Sequence, residues 1–342
     1  MNRASHGKIR AFRPRLLKNI GLTLIIPCFT LAVVLAACAV NGVSFWAAQG
    51  GLRAFLYSVT ISVFSAFALG LHLFAGRFDF SLGSVAVLAA VIGGKAAIAL
   101  QCNWASMLVV FIVTGAVLGA VSGLLYLLFN LPPMITSLGV ALAYEGLSFA
   151  LSGGSGVKIS LNPALLGGAS VEFMFVLLAA GLAVMYVLLN YTRFGFNYRA
   201  IQFGQKIAVD TGLNEKSNAL ICYVICGALI AVVGFLRISY NGSQSPQLNL
   251  STSGAIFSAM LPLFIGGLMS GFCEQNISIV VGCLTSALIT QGLSSVGVSL
   301  QARSLMTSFL MILILMYSTN GAAIRGWLKA RMILERRQIN ED

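Results

Sequence analysis

Few ionisable residues interrupt the long apolar runs of this chain, and those few are its first candidates for chemistry. Glu145 is the clearest, because it lies inside an apolar run between Leu138 and Leu147. A charge at the centre of a bilayer costs on the order of 3 kcal/mol, so such a residue usually has a function. Two interpretations are open. The carboxylate faces a hydrated path or a partner subunit, or it is paired with a neighbouring helix and has no role in transport.

A second group of polar residues lies in the sequence GRFDFSLGS, between two apolar runs. Residues two apart do not share a helix face, so Arg77 and Asp79 are not expected to pair directly. Asp79 and Ser81 are candidates to cap the following helix, because a short oxygen acceptor satisfies free backbone N–H groups there. Gly83 and Ser84 are small, as residues at close helix contacts in membranes are.

Cysteine and histidine give no sign of a metal centre. The seven cysteines have no regular spacing, and the two histidines, His6 and His72, are too few for a cluster. Cys222 and Cys226 are one helical turn apart, but no histidine or carboxylate is nearby in the sequence. Since cysteine commonly packs as a small hydrophobe, we expect no metal site.

The composition shows which solvent these residues meet. Of the 342 residues 58% are apolar and 9% are charged, with a mean hydropathy of +0.93. Apolar runs of about 20 residues, the length that spans a bilayer, recur along the whole chain. The sequence therefore predicts an all-α integral membrane protein with about ten transmembrane helices. The predicted spans are 20–40, 54–74, 80–100, 104–129, 134–151, 173–190, 219–239, 255–271, 277–294 and 303–320. The third and fifth contain enough Gly and Ser to be broken or partly re-entrant.

The distribution of Lys and Arg predicts the topology, because these residues stay on the cytoplasmic side. Of the 21 Lys and Arg residues, all but five fall on one side of the predicted membrane. The five are Arg53, Lys95, Lys158, Arg237 and Arg303. We therefore expect both termini in the cytoplasm, with basic tails at 1–19 and 321–342 around a transmembrane domain at 20–320. The net charge of +12 is thus a topology signal for a protein in a lipid bilayer, with no nucleic-acid partner.

The longest polar stretch, residues 191–218, falls on the predicted cytoplasmic side and is called the coupling segment below. Polar and apolar residues recur there at helical spacing: Arg199, Gln202, Lys206 and Asp210 are polar, and Ala200, Phe203 and Ile207 are apolar. The pattern predicts one short amphipathic helix from about Tyr198 to Thr211, ended by Gly212, with the next span beginning near Asn218. Such a helix either rests in the lipid interface or serves a cytoplasmic partner.

Several mechanisms lack their sequence signatures. No GxxxxGK[ST] phosphate loop occurs, so this chain cannot hydrolyse ATP by that chemistry. It has no row of acidic residues for a proton relay, no arginine-rich voltage sensor and no filter signature. We expect neither an enzyme nor a bound cofactor.

Four groups of segments, in order over roughly residues 50–320, resemble the permease subunits of bacterial ABC importers of the ribose, galactose, xylose and autoinducer-2 type. Residues 79–84 resemble the motif D-L-S-V-G-S. Residues 131–139, 144–147 and 151–154 resemble L-P-P-F-I-V-T-L-G, Y-R-G-L and L-T-G-G. Residues 198–201, with Ala208, Thr211, Gly212 and Leu213, are similar to the family's coupling segment. Residues 242–246 and 265–267 resemble a loop and an I-G-G motif.

The resemblance implies a permease dimer in the bacterial inner membrane that works by alternating access. Separate ATPase subunits would use ATP and Mg²⁺ and dock on the coupling segment, and a periplasmic solute-binding protein would deliver a monosaccharide or similar small polar solute. It assigns ATPase coupling to Arg199, Ala200, Ile201, Phe203, Lys206, Ala208, Thr211 and Gly212. Candidates for the translocation path or a subunit interface are Asp79, Ser81, Gly83, Ser84, Asn130, Tyr144 and Glu145.

The chain departs from the family pattern at five places. Residues 268–273 replace a Gly-rich turn after the I-G-G motif, and Pro262 interrupts the preceding span. Glu145 replaces an Arg, Arg77 replaces a Gly, and residues 202–204 replace paired Gly and Asn. A heterodimer in which the second permease offers an Arg would account for Glu145. Two other functions stay open: an ion-driven secondary transporter, and a membrane scaffold or regulatory subunit that has lost transport.

Overall fold

α-Helices make up nearly all of the structure, a computed structural model that describes the backbone of residues 6–47, 50–270 and 272–341, and side chains from 23 to 320 within those ranges. The helices are α1 (His6–Val40), α2 (Gly51–Phe74), α3 (Leu82–Ala99), α4 (Trp104–Phe129), α5 (Pro133–Ser152), α6 (Val171–Tyr191), α7 (Arg193–Phe203), α8 (Gln205–Asp210), α9 (Glu215–Asn241), α10 (Ser253–Met269), α11 (Gln275–Ser295) and α12 (Leu300–Glu341). A 3₁₀ helix covers Pro163–Ala169, and β1 (Val157–Lys158) pairs antiparallel with β2 (Ser243–Gln244).

The prediction of an all-α integral membrane protein is confirmed. Within the described ranges nine helices are long and apolar enough to cross a bilayer. The tenth predicted span, 255–271, is the 17-residue helix α10, which is about 26 Å long. The third and fifth spans contain no break, because α3 and α5 are continuous helices, and the alternative of a partly re-entrant span stays a prediction. The cytoplasmic placement of the termini stays a prediction.

Two antiparallel helices, α2 and α9, form the centre of the bundle. Tyr57 stacks on Tyr240 at one end, and Cys222 Sγ lies 3.7 Å from the carbonyl oxygen of Leu71 towards the other. α9 packs on α3 and α4, the two helices that follow α2 in the chain. In the same way, α2 packs on α10 and α11, the two helices that follow α9. This reciprocal packing is the arrangement that two inverted repeats produce.

Small residues allow the helices around α9 to approach closely. Gly227 on α9 faces Gly115 and Gly119 on α4, and a Cβ atom added at Gly227 would overlap the carbonyl oxygen of Gly115. Without a hydrophobic driving force in lipid, such close packing is a main source of helix association. The α4–α9 contact therefore depends on these glycines.

Candidate translocation path and coupling site

A non-helical segment, residues 75–81, separates α2 from α3. The Ser81 backbone N–H donates to Asp79 Oδ1 at 2.7 Å, and Ser84 Oγ donates to the carbonyl oxygen of Ser81 at 2.8 Å. The predicted capping by Asp79 is confirmed. Ser81 occupies the N-cap position of α3, but its side chain makes no capping hydrogen bond.

Arg77 and Asp79 do not pair with each other, as expected. Arg77 Nη1 lies 4.0 Å from Glu215 Oε1 at the start of α9, and Asp79 Oδ2 lies 3.6 Å from His72 Nε2 on α2. Gln205 Nε2 on α8 also donates to Glu215 Oε1. Glu215 thus connects α8 of the coupling segment to the non-helical segment before α3.

Glu145 on α5 binds the chain just before α10 begins. Its side chain is buried, with the residue 1% exposed. Oε2 accepts the backbone N–H of Leu250 at 2.8 Å, and Oε1 accepts the backbone N–H of Thr252 at 3.0 Å and its hydroxyl at 2.6 Å. These bonds and the positive end of the helix dipole explain how a charge is tolerated at this depth. Of the two interpretations, this geometry favours a carboxylate paired with a neighbouring helix of its own chain, and a role on the path stays a prediction.

The N-termini of α3 and α10 meet inside the bundle. A Cβ atom added at Gly83 would overlap the carbonyl oxygen of Thr252, so the two backbones are in direct contact. Ile230 and Val233 of α9 line the same small pocket as Gly83. Because Ile230 lies about 15 residues, or about 22 Å, from the start of α9, the contact is well inside the bundle. Two buried helix starts therefore bring together five of the predicted path residues, Asp79, Ser81, Gly83, Ser84 and Glu145.

The other two predicted path residues lie elsewhere. The Tyr144 hydroxyl donates to the carbonyl oxygen of Leu118 at 2.8 Å, which ties α5 to α4. Asn130 ends α4 in a left-handed conformation with φ of 51°. It lines a cavity of about 280 Å³ with Gln205 and Glu215, next to the coupling segment rather than the helix starts.

Hydroxyl residues form half of the lining of a cleft of about 620 Å³ between α10, α11 and α12, here called the hydroxyl-lined cleft; the other half is Arg303, Gly254 and four apolar residues. Its hydroxyl residues are Ser258, Ser286, Thr290, Ser304, Thr307 and Ser308. Ser258 and Thr290 each donate to a carbonyl oxygen four residues earlier, at 2.9 Å. Their oxygen lone pairs remain available as acceptors. Such a cleft suits a solute that carries several hydroxyl donors.

The sequence contains a pattern that indicates this cleft. Ser286 and Thr290, like Ser304 and Ser308, are four residues apart and so share one helix face. The pattern predicts a polar stripe on each of two spans. Only the packing of α11 against α10 and α12 shows that the stripes enclose a space.

The coupling segment forms two helices, so the prediction of one helix from Tyr198 to Thr211 is wrong. The first helix, α7, begins earlier at Arg193, because Thr192 Oγ1 accepts the backbone N–H of Gly195 at 3.2 Å. Gly204 then interrupts the helical backbone with extended φ of 169° and ψ of 94°. Glycine is a poor helix former, which explains why the break falls there. Gly212, with φ of +92°, follows the end of α8 as predicted.

The coupling segment packs on the bundle through residues outside the predicted apolar strip. Tyr198, Ile201 and Ala208 are buried, and the Tyr198 hydroxyl donates to the carbonyl oxygen of Gly70 on α2 at 3.2 Å. Burial raises the pKa of the Tyr198 phenol well above its ordinary value. Phe203 is 91% exposed and Ile207 is 70% exposed, so the predicted apolar strip faces outward.

The remaining predicted coupling residues are mostly on the surface. Arg199, Lys206, Thr211 and Gly212 are exposed, and Ala200 is half-buried. Arg199 Nη1 lies 3.5 Å from Asn190 Oδ1 at the end of α6. The segment thus presents basic and apolar groups together on one outer surface.

Comparison with known families identifies the chain. Residues 51–315 match the model of the family described as branched-chain amino acid transport system, permease component. The chain belongs to this permease family. The resemblance noted in the sequence is thereby confirmed, and the permease is a multi-pass membrane protein.

Curated relatives of the permease are named for sugars. It is 27% identical to the galactose/methyl galactoside import permease MglC of Escherichia coli (strain K12) over 197 residues, 54% of this chain and 58% of MglC. It is 24% identical to the fructose import permease FruG of Bifidobacterium longum over 276 residues, 76% and 80% of the two chains. For the ribose import permease RbsC of E. coli (strain K12), the values are 22% over 254 residues, 71% and 78%. The match to MglC thus spans less than two thirds of that relative's length. No solved structure matches the permease.

Proposed function

We propose that this chain is the membrane-spanning subunit of an ATP-driven importer that translocates a monosaccharide or similar small polar solute by alternating access. The observation that carries the proposal is the meeting of the α3 and α10 N-termini at Gly83 and Thr252 inside the bundle. Helix ends that lie within the membrane, as these two helix starts would, form the substrate sites of many transporters. The sugar import relatives of the family support the choice of solute.

The hydroxyl-lined cleft is the proposed route for the solute. Its Ser and Thr oxygens offer acceptors for sugar hydroxyl groups, and the hydroxyls of Ser258 and Thr290 donate their own protons to backbone carbonyls of the same helix. Such contacts give modest affinity, which a transport path needs because the solute must also leave. A separate solute-binding protein on the opposite side from the coupling segment would then set most of the selectivity.

The coupling segment is the proposed docking site of a cytoplasmic ATPase, which supplies ATP hydrolysis and Mg²⁺. The exposed Phe203 and Ile207 give this surface apolar anchors. Two contacts connect it to the core: Tyr198 with Gly70 on α2, and Glu215 with Arg77 before α3. An ATPase that binds the segment differently in two states would shift α2 and the start of α3 between two positions.

A second permease subunit, identical or different, completes the proposed assembly in the bacterial inner membrane. The apolar stretch of α12 within Leu300–Asn320 buries none of its residues inside this chain. Leu142, Leu147 and Leu151 on α5 are also exposed. Apart from the α12 residues that line the hydroxyl-lined cleft, these surfaces face either lipid or the second subunit. An ion-driven mechanism has less support, because both Glu145 oxygens already bind the start of α10.

Reconstitution tests the proposal. The tagged chain is first purified from its native membrane, and we expect an ATPase with a phosphate loop to co-purify. Proteoliposomes containing both proteins, with ATP on the ATPase side and the solute-binding protein on the other, are then assayed with radiolabelled monosaccharides. We expect uptake that requires ATP, and an ATPase with a substituted phosphate-loop lysine serves as the inactive control. Uptake without ATP would contradict the proposal.

A further inference from the structure

Three side chains that are far apart in the sequence meet at the centre of the bundle. His72 on α2 and Cys222 and Cys226 on α9 are all buried, and their potential ligand atoms lie within 4.8 Å of one another. The antiparallel packing of α2 on α9 creates this cluster. We propose that it binds one thiophilic metal ion, Cu⁺ or Zn²⁺, through one imidazole nitrogen and two cysteine sulfurs.

The imidazole of His72 gives the first argument. The residue is 0% exposed, and neither ring nitrogen has a hydrogen-bond partner among the described residues. Asp79 Oδ2, at 3.6 Å from Nε2, is too distant for a hydrogen bond. Buried polar groups in folded proteins nearly always have a partner. A metal ion on one nitrogen would satisfy the ring, and a small approach of Asp79 could orient it from the other.

The two thiols point towards the same side as His72. Cys226 Sγ lies 3.3 Å from the carbonyl oxygen of Ala68, and Cys222 Sγ lies 3.7 Å from that of Leu71. Both contacts are to α2, one turn or less before His72. Thiolate and imidazole together select Cu⁺ and Zn²⁺ over Mg²⁺ or Ca²⁺. The donor set therefore defines the class of metal.

Binding needs only a small movement. Ligand atoms held at about 2.3 Å from one ion can be at most about 4.6 Å apart, and about 4 Å apart in a trigonal site. Rotation of the two cysteine side chains away from the α2 carbonyls would bring the three ligand atoms from separations of up to 4.8 Å to the shorter separations that one ion requires. Each thiol gives up its proton to solvent as its sulfur binds the metal, so two protons leave for each ion.

Arg77 fits the charge of the occupied site. Its guanidinium is buried and lies within electrostatic range of His72 and Cys226. None of its three side-chain nitrogens has a hydrogen bond in the described part of the chain, and its ion pair with Glu215 is 4.0 Å long. Two thiolates with Cu⁺ carry a net charge of −1, which this cation would offset, and with Zn²⁺ the site is neutral. The five cysteines outside the cluster, including Cys283, show no comparable group of ligands in the described residues.

Metal titration of the whole chain tests the site. The tag-free protein in detergent is treated with a chelator and titrated in two arms, with Zn²⁺ against a chromophoric zinc chelator and with Cu⁺ against bicinchoninate under reducing, oxygen-free conditions. We expect one equivalent per chain in at least one arm. Cys222→Ser, Cys226→Ser and His72→Gln should each weaken binding at least tenfold, whereas Cys283→Ser, which removes another fully buried thiol, should not. No stoichiometric binding in either arm, or binding unchanged in all three variants, overturns the proposal.

X-ray absorption of the metal-loaded wild-type protein keeps the test decisive if the variants do not fold. We expect two sulfur neighbours at about 2.3 Å and one nitrogen neighbour. Bound metal should also protect Cys222 and Cys226, but not Cys28, from alkylation in a partly unfolded state. A spectrum with only nitrogen and oxygen neighbours, or equal alkylation with and without metal, rejects the site. Neither readout depends on transport.

Discussion

Glu145 Oε1 accepts both the backbone N–H and the hydroxyl of Thr252, 107 residues later in the chain, at 3.0 and 2.6 Å. This contact explains a charge that replaces the family's Arg without any need for a partner subunit. The same contact holds the start of α10 against α5. Glu145 is thus a positioning residue for one of the two helix starts at the proposed path.

Substitution of Glu145 tests this role directly. In Glu145→Gln only one oxygen remains as an acceptor, and the amide NH₂ group faces a backbone N–H that needs an acceptor. We therefore expect the free energy of unfolding to fall by about 2–3 kcal/mol. The apparent melting temperature in detergent and the uptake rate should both fall. Thr252→Ser keeps the hydroxyl and is the matched control, with a much smaller effect. A Glu145→Gln protein that melts and transports like wild type would show that the contact is dispensable.

The contact between the two helix starts has a separate test at Gly83. In Gly83→Ala the new methyl group meets the Thr252 carbonyl, which is backbone and cannot rotate away, so α3 and α10 must separate. Overpacking of this kind costs about 1–3 kcal/mol. We expect reduced uptake and a lower melting temperature. Gly139→Ala on α5 is the control, since no described atom outside its own helix lies within 4 Å of its Cβ position. Equal behaviour of the two variants would argue against close packing at Gly83.

The exposed apolar residues of the coupling segment predict a docking defect without a folding defect. Phe203→Ala removes a side chain that is 91% exposed, so the melting temperature should stay unchanged. Truncation of an apolar anchor at the centre of an interface costs about 1–2 kcal/mol, so we expect about 5- to 30-fold weaker ATPase binding. Leu161→Ala, at a residue 83% exposed on the opposite predicted side, is the matched control. Unchanged ATPase binding by Phe203→Ala would place the docking surface elsewhere.

Tyr198 predicts a pH dependence of stability. Burial raises the pKa of its phenol in the folded state, while the unfolded chain ionises near pH 10. The unfolded state loses its proton first as the pH rises, so this tyrosine's contribution is complete below about pH 10 and is lost above it. Tyr198→Phe also removes the hydrogen bond to Gly70, a loss of about 0.5–1.5 kcal/mol at neutral pH. Unfolding measurements should show this difference at pH 7 and a smaller or reversed one at pH 11. A constant difference across that range would contradict the burial of the phenol.

Local patterns predicted the elements and several of their ends. Apolar runs located the spans, Asp79 was correctly expected to cap α3, and Gly212 marks the end of α8. These features depend on neighbours within a few residues. The prediction of a single helix in the coupling segment is wrong because the helical spacing of its side chains continues through Gly204. Glycine has a low helix propensity, and the helix is interrupted there despite the pattern.

Contacts between distant parts of the chain could not be predicted in this way. The partner of Glu145 lies 107 residues away, and His72 meets Cys222 only because α2 and α9 run antiparallel. Without knowledge of that packing, a lone carboxylate suggests a path or a partner, and two cysteines suggest only core packing. The sequence singled out Glu145 and Gly83, but it could not show that both contact Thr252, and their role in transport stays a prediction.

The hydroxyl-lined cleft gives the most direct test of where the solute passes. Thr290→Val keeps the shape of the side chain and removes an oxygen that lines the cleft. One lost hydrogen bond to the solute is worth about 0.5–1.5 kcal/mol, so we expect the solute concentration for half-maximal uptake to rise about 2- to 12-fold. Thr114→Val on α4 is the matched control, because Thr114 also donates to a carbonyl oxygen four residues earlier but lies outside the cleft. Uptake kinetics in proteoliposomes measure both variants beside their melting temperatures. If Thr114→Val and Thr290→Val change uptake equally, the effect belongs to the helix backbone and the solute passes elsewhere.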